Sequence, residues 1–218
     1  MKIVAVTDIH SAYKKAEQII RKETPDVLII GGDLTTVGSV KEAEEAIRQF
    51  QTLSSKVLCV AGNMDLPQHD ELFVKLGVSI NGRGEIINNV GFFGVSASPI
   101  SPLLTPYEIS EEEIARRIQR GYNQVKNASV KIFAPHAPPY GTKVDIVHSG
   151  IHAGSTAVRD FIENEKPDIV VCGHIHEARG QDTVEGSKIV NCGPASNGYY
   201  VLISLEKEVK IMNLHLST

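Results

Sequence analysis

The feature that most constrains the fold is a regular alternation of apolar runs and amphipathic segments at the start of the chain. The runs at 2–6, 27–30 and 56–60 are apolar throughout, which is typical of strands buried on both faces. Between them, 12–22 and 39–50 carry apolar residues at helical spacing. This strand–helix–strand order predicts parallel βαβ units in an α/β protein.

The rest of the chain predicts further elements around one long loop. Residues 135–153 are rich in Gly, Pro and His, and loops of this length inside a compact domain are usually functional. From its length we expect one domain over 1–218. The other expected elements are a hairpin turning at Asn88 and Asn89, helices over 110–126 and 155–165, and strands over 130–134, 168–172, 182–184, 187–191, 199–205 and 208–214.

Polar side chains directly follow five of the predicted strands. In chain order they are Asp8 with His10, Gly32 with Asp33, Asn63 with Asp65, His136, and His174 with His176. Ligands of α/β sheets bind at the carboxyl ends of the strands, so we expect these side chains to meet there. Asp8 and His10 are two residues apart, and an extended backbone would point both to the same side. The same holds for His174 and His176.

The chemistry of this set is that of a metal site. Two carboxylates, one amide and four histidines give seven donors, too many for one ion and suitable for two, with Asp33 as a carboxylate that can bridge them. Mixed nitrogen and oxygen donors suit Mn, Fe, Zn or Co. Each motif alone also fits a helix cap, a turn or a plain loop histidine. Their ordered occurrence at five strand ends favours a shared dinuclear metal site.

Composition excludes several classes of protein. Lys plus Arg is 22 and Asp plus Glu is 26, a net charge of -4, so a strongly basic nucleic-acid binder is excluded and duplex nucleic acid is not an expected partner. No apolar run approaches the ~18 residues of a membrane span, and we expect no membrane association. Three dispersed cysteines provide no disulfide framework. We therefore expect a cytoplasmic protein.

The motif series resembles the calcineurin-like metallophosphoesterase superfamily. That family's pattern is D-x-H, G-D, G-N-H-D/E, a lone H and G-H-x-H, and the resemblance spans residues 1 to about 193. Segments 149–155, 176–180 and 191–194 are further similar to its Icc-related branch, akin to cyclic-nucleotide phosphodiesterases. The resemblance implies a four-layer α/β/β/α sandwich with two mixed sheets.

The resemblance also implies a function and a set of ligands. It implies hydrolysis of phosphodiesters, of nucleotide or cyclic-nucleotide type, by attack of a metal-bridged hydroxide on phosphorus. The cofactors would be two divalent ions from among Mn, Fe, Zn, Ni and Co, with Mn favoured, and the partner a small phosphoester; homo-oligomer formation stays open. The first ion would be held by Asp8, His10, Asp33 and His176, and the second by Asp33, Asn63, His136 and His174.

One position departs from the family pattern. Met64 stands where the family has a histidine that stabilises the transition state or protonates the leaving group, and methionine can donate neither a hydrogen bond nor a proton. The paired acid, Asp65, is retained and is expected to be catalytic. His152, which shares the long loop with His148, is our candidate substitute for the missing histidine. We expect Asn63 and His152 to contact substrate.

Three alternatives stay open. His148 and His152 also fit the role of ordinary surface residues of a loop. The chain also fits a binding protein that keeps the fold with weak or no activity, in the manner of the retromer subunit of this superfamily, whose motif is likewise degraded. A nuclease would need phosphate contacts such as Arg83, Arg159 and Arg179, and each of these also fits a surface ion pair.

Overall fold

Two mixed β-sheets form the centre of the structure, a computed structural model that describes residues 1–206 and 209–216. The helices are α1 (Tyr13–Glu23), α2 (Val40–Gln51), α3 (Gln68–Lys75), α4 (Glu111–Val125) and α5 (Thr156–Glu165). The strands are β1 (Lys2–Val6), β2 (Val27–Gly31), β3 (Lys56–Val60), β4 (Gly84–Ile87), β5 (Val90–Val95), β6 (Ser98–Pro99), β7 (Glu108–Ile109), β8 (Val130–Pro135), β9 (Ile169–Cys172), β10 (Gly180–Val184), β11 (Ser187–Asn191), β12 (Tyr199–Leu205) and β13 (Val209–His215). Residue 208, the expected start of the last strand, lies outside the described residues.

The βαβ units predicted for the start of the chain form one half of the first sheet. Its strand order is β13-β12-β1-β2-β3, with β1, β2 and β3 parallel, β12 antiparallel to β1, and β13 antiparallel to β12. The second sheet has the order β10-β11-β9-β8-β5-β4. Its four inner strands are parallel, and the edge strands β4 and β10 are antiparallel.

The sheets pack face to face, and helices cover their outer faces. Ile3 and Ile29 of the first sheet share a fully buried core with Phe92 and Ile132 of the second. The outer face of the first sheet packs against α1, α2 and α3, and that of the second against α4 and α5. Each fully buried side chain of this size contributes about 1.5–3 kcal/mol. The expected four-layer α/β/β/α sandwich is thus confirmed.

Local sequence signals explain why the hairpin at Asn88 and Asn89 could be predicted and helix α3 could not. Asn88 and Asn89 have φ values of 48° and 64°, the left-handed pair that a tight β-hairpin requires, and the predicted hairpin is present. Helix α3 was not predicted, because it has eight residues and buries only His69, Leu72 and Phe73, too few for a periodic pattern. Within 1–206 and 209–216, every helix is too short or too polar to cross a membrane.

Candidate metal centre

The loops that follow β1, β2, β3, β8 and β9 meet at one edge of the sandwich. Backbone hydrogen bonds join them in pairs: the Asp8 amide donates to the Gly32 carbonyl (3.0 Å), and the Gly173 amide donates to the His136 carbonyl (3.0 Å). The second bond connects the two loops of the second sheet. All seven predicted donors are therefore brought to the same place.

One group of donors consists of Asp8, His10 and His176, whose ligand atoms all lie within 4.8 Å of one another. The His176 Nε2 atom is 3.3 Å from Asp8 Oδ1 and 3.4 Å from His10 Nε2. Imidazole nitrogens bind ions such as zinc at about 2.1 Å, so two nitrogens at this separation are able to share one ion. This group fits a metal ion.

The second group surrounds the Asn63 side chain. Its Oδ1 atom is 3.0 Å from His136 Nε2 and 2.8 Å from His174 Nδ1. Asp33 faces both groups, because its Oδ1 is 3.6 Å from His136 Nε2 and its Oδ2 is 3.7 Å from His10 Nε2. The Asp33 carboxylate thus lies between the two groups of donors and has one oxygen near each of them. Asp8 is central as well, since its ligand atom also lies within 4.8 Å of those of Asp33 and His136.

The tautomer of His136 is determined by its surroundings. Its Nδ1 is 2.9 Å from the Gly31 carbonyl oxygen, which accepts only, so Nδ1 carries the hydrogen. In the tautomer with the hydrogen on Nδ1, the Nε2 lone pair points towards the Asn63 oxygen, so both atoms can bind the same cation. A hydrogen bond from the far nitrogen is also what orients most metal-binding histidines.

The side chains of the pairs Asp8/His10 and His174/His176 converge, but not because of the extended backbone that the sequence analysis expects. The backbone is not extended at these residues: φ is 54° at Asp8, 45° at His10, 49° at Asp33 and 66° at His174. His176 starts a short 3-10 turn. Left-handed turns, and not the alternation of a strand, therefore aim the side chains inward. Such conformations of non-glycine residues cost about 1–3 kcal/mol each and are concentrated at functional sites.

Two glycines provide space for the donors. Gly32 has a φ of 101°, and a Cβ atom there would overlap the His136 ring. A Cβ atom on Gly62 would overlap the Asp33 carboxylate. The backbone approaches both ligands more closely than any other residue type allows.

The electrostatics of the cluster favour added positive charge. Burial raises the pKa of Asp33 to about 7, and the nearby carboxylates of Asp8 and Asp65 act in the same direction. Burial also lowers the pKa of His174 to about 3, so this ring is neutral near pH 7. Buried carboxylates beside a neutral imidazole favour divalent cations. The donor set and its charge both fit two metal ions.

Asp65, which the sequence analysis expects to be catalytic, lies beneath the loops and does not line the cleft. Its carboxylate is fully buried. One oxygen accepts from the Thr35 amide (2.8 Å) and hydroxyl (2.9 Å), and the other from the amides of Gly62 (2.9 Å) and Leu34 (3.1 Å). With these bonds Asp65 holds the loops after β2 and β3 together, and a substrate cannot reach it. This geometry suits a residue that positions the donors.

His152 lies in the cleft above the donors, as the sequence analysis expects of a residue that contacts substrate. Its side chain is 35% exposed, and its Nδ1 is 2.6 Å from an oxygen of the fully buried Asp145. A carboxylate accepts only, so Nδ1 carries the hydrogen and Nε2 is the ring atom available to a substrate.

Asp145 is the site residue that the sequence analysis missed. Its carboxylate also accepts from the amides of Gly141 (3.0 Å), Thr142 (2.9 Å) and Gly154 (3.1 Å), which fixes the base of the long loop. The one available signal was an aspartate seven residues before His152 in that loop. It belongs to no motif of the resemblance.

Comparisons with known proteins agree with this architecture. A sequence model of the family "Calcineurin-like phosphoesterase" matches residues 1–178. An uncharacterised protein of Methanocaldococcus jannaschii is 35% identical over 98% of this chain and 96% of its own. A protein of Xenorhabdus bovienii described as a probable cyclic nucleotide phosphodiesterase is 22% identical over 82% of this chain and 80% of its own. A dimetal phosphatase from Danio rerio has the same fold, with a TM-score of 0.68 at 10% identity over 98% of this chain and 95% of its own.

Proposed function

This chain belongs to the calcineurin-like phosphoesterase family, and we propose that it hydrolyses small phosphodiesters with two divalent metal ions, manganese favoured. The observation that carries the proposal is the meeting of two carboxylates, one amide and four imidazoles at a single edge of the sandwich. Family membership alone leaves the reaction of this chain open. The geometry adds a donor set whose charge and shape suit two ions.

The residues have distinct roles in this proposal. Two bound ions lower the pKa of a shared water and stabilise negative charge on a phosphoryl group. Asp33 would be common to both ions. The remaining ligands would be Asp8, His10 and His176 for the first ion and Asn63, His136 and His174 for the second.

Leaving-group protonation is assigned to His152. Met64 lines the cleft and has no proton to donate. His152 lines the same cleft, and its hydrogen bond to Asp145 directs Nε2 away from the buried carboxylate. A protonated His152 would donate from Nε2 to the departing oxygen, while Asn63 would contact the substrate phosphate. General acid catalysis of this kind contributes about 10²–10⁴-fold.

We further propose diesters of nucleotide or cyclic-nucleotide type as candidate substrates, in a cytoplasmic protein. The similarity to the Xenorhabdus bovienii protein supports the first point. The three cysteines are buried and free, as in a reducing compartment, which supports the second.

The experiment that tests the proposal compares wild-type protein with Asp33→Asn. Wild-type protein loaded with Mn²⁺ should hydrolyse bis-p-nitrophenyl phosphate, and Asp33→Asn should lose most of this activity and part of its metal affinity. The matched control is Asp160→Asn, an exposed position on α5. Equal rates for wild type and Asp33→Asn would show that the proposal is wrong.

Met64 supports a second candidate, a binding protein that keeps the fold without activity. The complete donor set argues against it. Calorimetry with Mn²⁺ separates the two, because a scaffold that has lost its centre should show no saturable binding.

A further inference from the structure

Large apolar side chains are exposed to solvent on both sides of the cleft that contains the metal donors. Ile100 and Leu103, on the loop between β6 and β7, are 68% and 80% exposed. Ile151, on the long loop after β8, is 64% exposed, and Tyr140 on the same loop is also exposed. Together with Val147 these residues form what we call the apolar rim. Contiguous exposed apolar surface on a monomer usually marks a binding site.

The apolar rim and the metal donors line one cavity. Its volume is about 670 Å³, and its wall includes all five rim residues together with His10, Asp33, Asn63, His174 and His176. Met64 lies in the same wall. A ligand whose phosphate reaches the donors therefore has its remaining groups beside apolar side chains.

The cavity offers no second place for an anion. Among the described residues, neither Lys nor Arg contributes to its wall. The one carboxylate there besides Asp33 belongs to Glu111, and its oxygens accept from the Ser155 hydroxyl (2.6 Å) and the amides of Thr156 (2.9 Å) and Ala157 (3.1 Å). Positive charge in this cavity would thus come only from the ions that the donors bind, which suits a ligand with a single phosphate.

Both loops that carry the apolar rim are held in place. The Glu108 carboxylate accepts from the amides of Ser101 (2.9 Å) and Thr105 (2.8 Å) and from both of their hydroxyls. On the other side, the Val147 amide donates to the Ile151 carbonyl (2.9 Å) across a small hairpin. The exposed apolar groups are therefore presented by ordered backbone.

We propose that the preferred substrate is a phosphodiester in which one ester group is a long alkyl group that packs on the apolar rim. This inference rests on the proposed hydrolysis of phosphodiesters, and it favours alkyl esters over the nucleotide-type candidates. It narrows the substrate class, because the cleft complements one negative charge next to one apolar group. Nucleic acids and nucleoside polyphosphates lack that combination.

The test compares two diesters with the same leaving group, methyl p-nitrophenyl phosphate and octyl p-nitrophenyl phosphate, below the concentration at which the latter aggregates. We expect kcat/KM with Mn²⁺ to be at least about tenfold higher for the octyl diester, a gain that requires burial of about two methylenes. Leu103→Ser and Ile151→Ser should reduce this ratio by lowering kcat/KM for the octyl diester more than for the methyl diester. The control is Ile86→Ser, 49% exposed on β4 and away from the cleft.

Binding separates this inference from the proposed function. Calorimetry of the Mn²⁺-loaded protein should show octylphosphonate binding at least about tenfold tighter than methylphosphonate, with the difference reduced in Leu103→Ser. If neither diester is hydrolysed and this difference persists, the apolar rim binds the alkyl group as inferred, and the proposed hydrolysis fails. Equal kcat/KM and equal binding for the short and long compounds would overturn the inference. The inference would also be overturned if kcat/KM were equal for the two diesters and the protein sedimented with phosphatidylcholine vesicles in a way that depends on Leu103. The apolar rim would then be a membrane contact.

Discussion

The hydrogen bond between His152 and Asp145 leads to a prediction about leaving groups. A proton donor matters only when the departing oxygen is too basic to leave as an anion. We expect His152→Asn to lower kcat at least about 10²-fold for a dialkyl phosphate, because general acids contribute about 10²–10⁴-fold. For a p-nitrophenyl ester, whose phenolate leaves unprotonated, kcat should change less than about threefold.

Asp145→Asn should have two separable effects. The carboxylate accepts from Gly141, Thr142, Gly154 and His152, and an asparagine can offer only one of its two terminal atoms as an acceptor. A hydrogen bond to a charged group contributes about 1.5–3 kcal/mol, and each Asp145 oxygen accepts at least two, so we expect destabilisation of about 3–6 kcal/mol. Misorientation of His152 should also lower kcat for the dialkyl phosphate.

The assay measures kcat for both leaving groups, with urea unfolding at the same pH. In the His152→Asn background, Asp145→Asn should still destabilise the protein but should not lower kcat further, because the group it positions is gone. If His152→Asn reduces kcat equally for alkyl and p-nitrophenyl leaving groups, the reasoning about proton donation is refuted. A kcat loss that depends on Asp145 in the double variant would refute the positioning role.

Other predictions concern stability and substrate range. Burial raises the pKa of Glu108, but hydrogen bonds from Thr105 and Ser101 bring it down to about 2 from 4.5, so its stabilisation is present above about pH 4.5 and is lost as the pH falls towards 2. Since this carboxylate is partly exposed, we expect Glu108→Gln to cost about 1–2 kcal/mol at pH 7 and less at pH 3, measured by urea unfolding. Met64→His should increase kcat/KM more for phosphomonoesters than for diesters; an equal gain would contradict the explanation of this position. Mn²⁺ at 100 times its Kd should raise the free energy of unfolding by about 2.7 kcal/mol for each site filled, and an unchanged midpoint in thermal unfolding would count against a metal centre in the folded protein.

The donor set could be predicted because each member follows an apolar strand. The carboxyl ends of parallel strands meet at one edge, so Asp8, Asp33 and Asn63 had to lie close together once β1, β2 and β3 were recognised. His136 and His174 were harder, since they belong to the other sheet. Their proximity depends on how the two sheets face each other, and only the resemblance to a known family predicted that.

The contacts of Asp65 and Asp145 could not be predicted, and the physical cause is the same for both. The roles of Asp65 and Asp145 depend on which backbone amides surround each carboxylate, and those amides come from loops whose conformation leaves little trace in the sequence. Asp65 binds Leu34 and Thr35, about 30 residues earlier in the chain. The left-handed φ values at the donors are equally hidden, because Asp and His are enriched there among non-glycine residues and yet adopt such values at only a small minority of positions.

The contacts of Met64 explain how the histidine of the family pattern can be absent from this position while the set of metal donors stays complete. Its backbone amide donates to Asp33 Oδ1 at 2.8 Å, and its carbonyl accepts from the Val37 amide at 2.8 Å. Both contacts are made by the main chain, so the side chain at this position can change without moving Asp33. What changes is the wall of the cleft, where an apolar thioether replaces an imidazole beside Ile100 and Leu103. The same substitution therefore removes a proton donor and extends the apolar surface, which favours a change of substrate over a loss of the metal site.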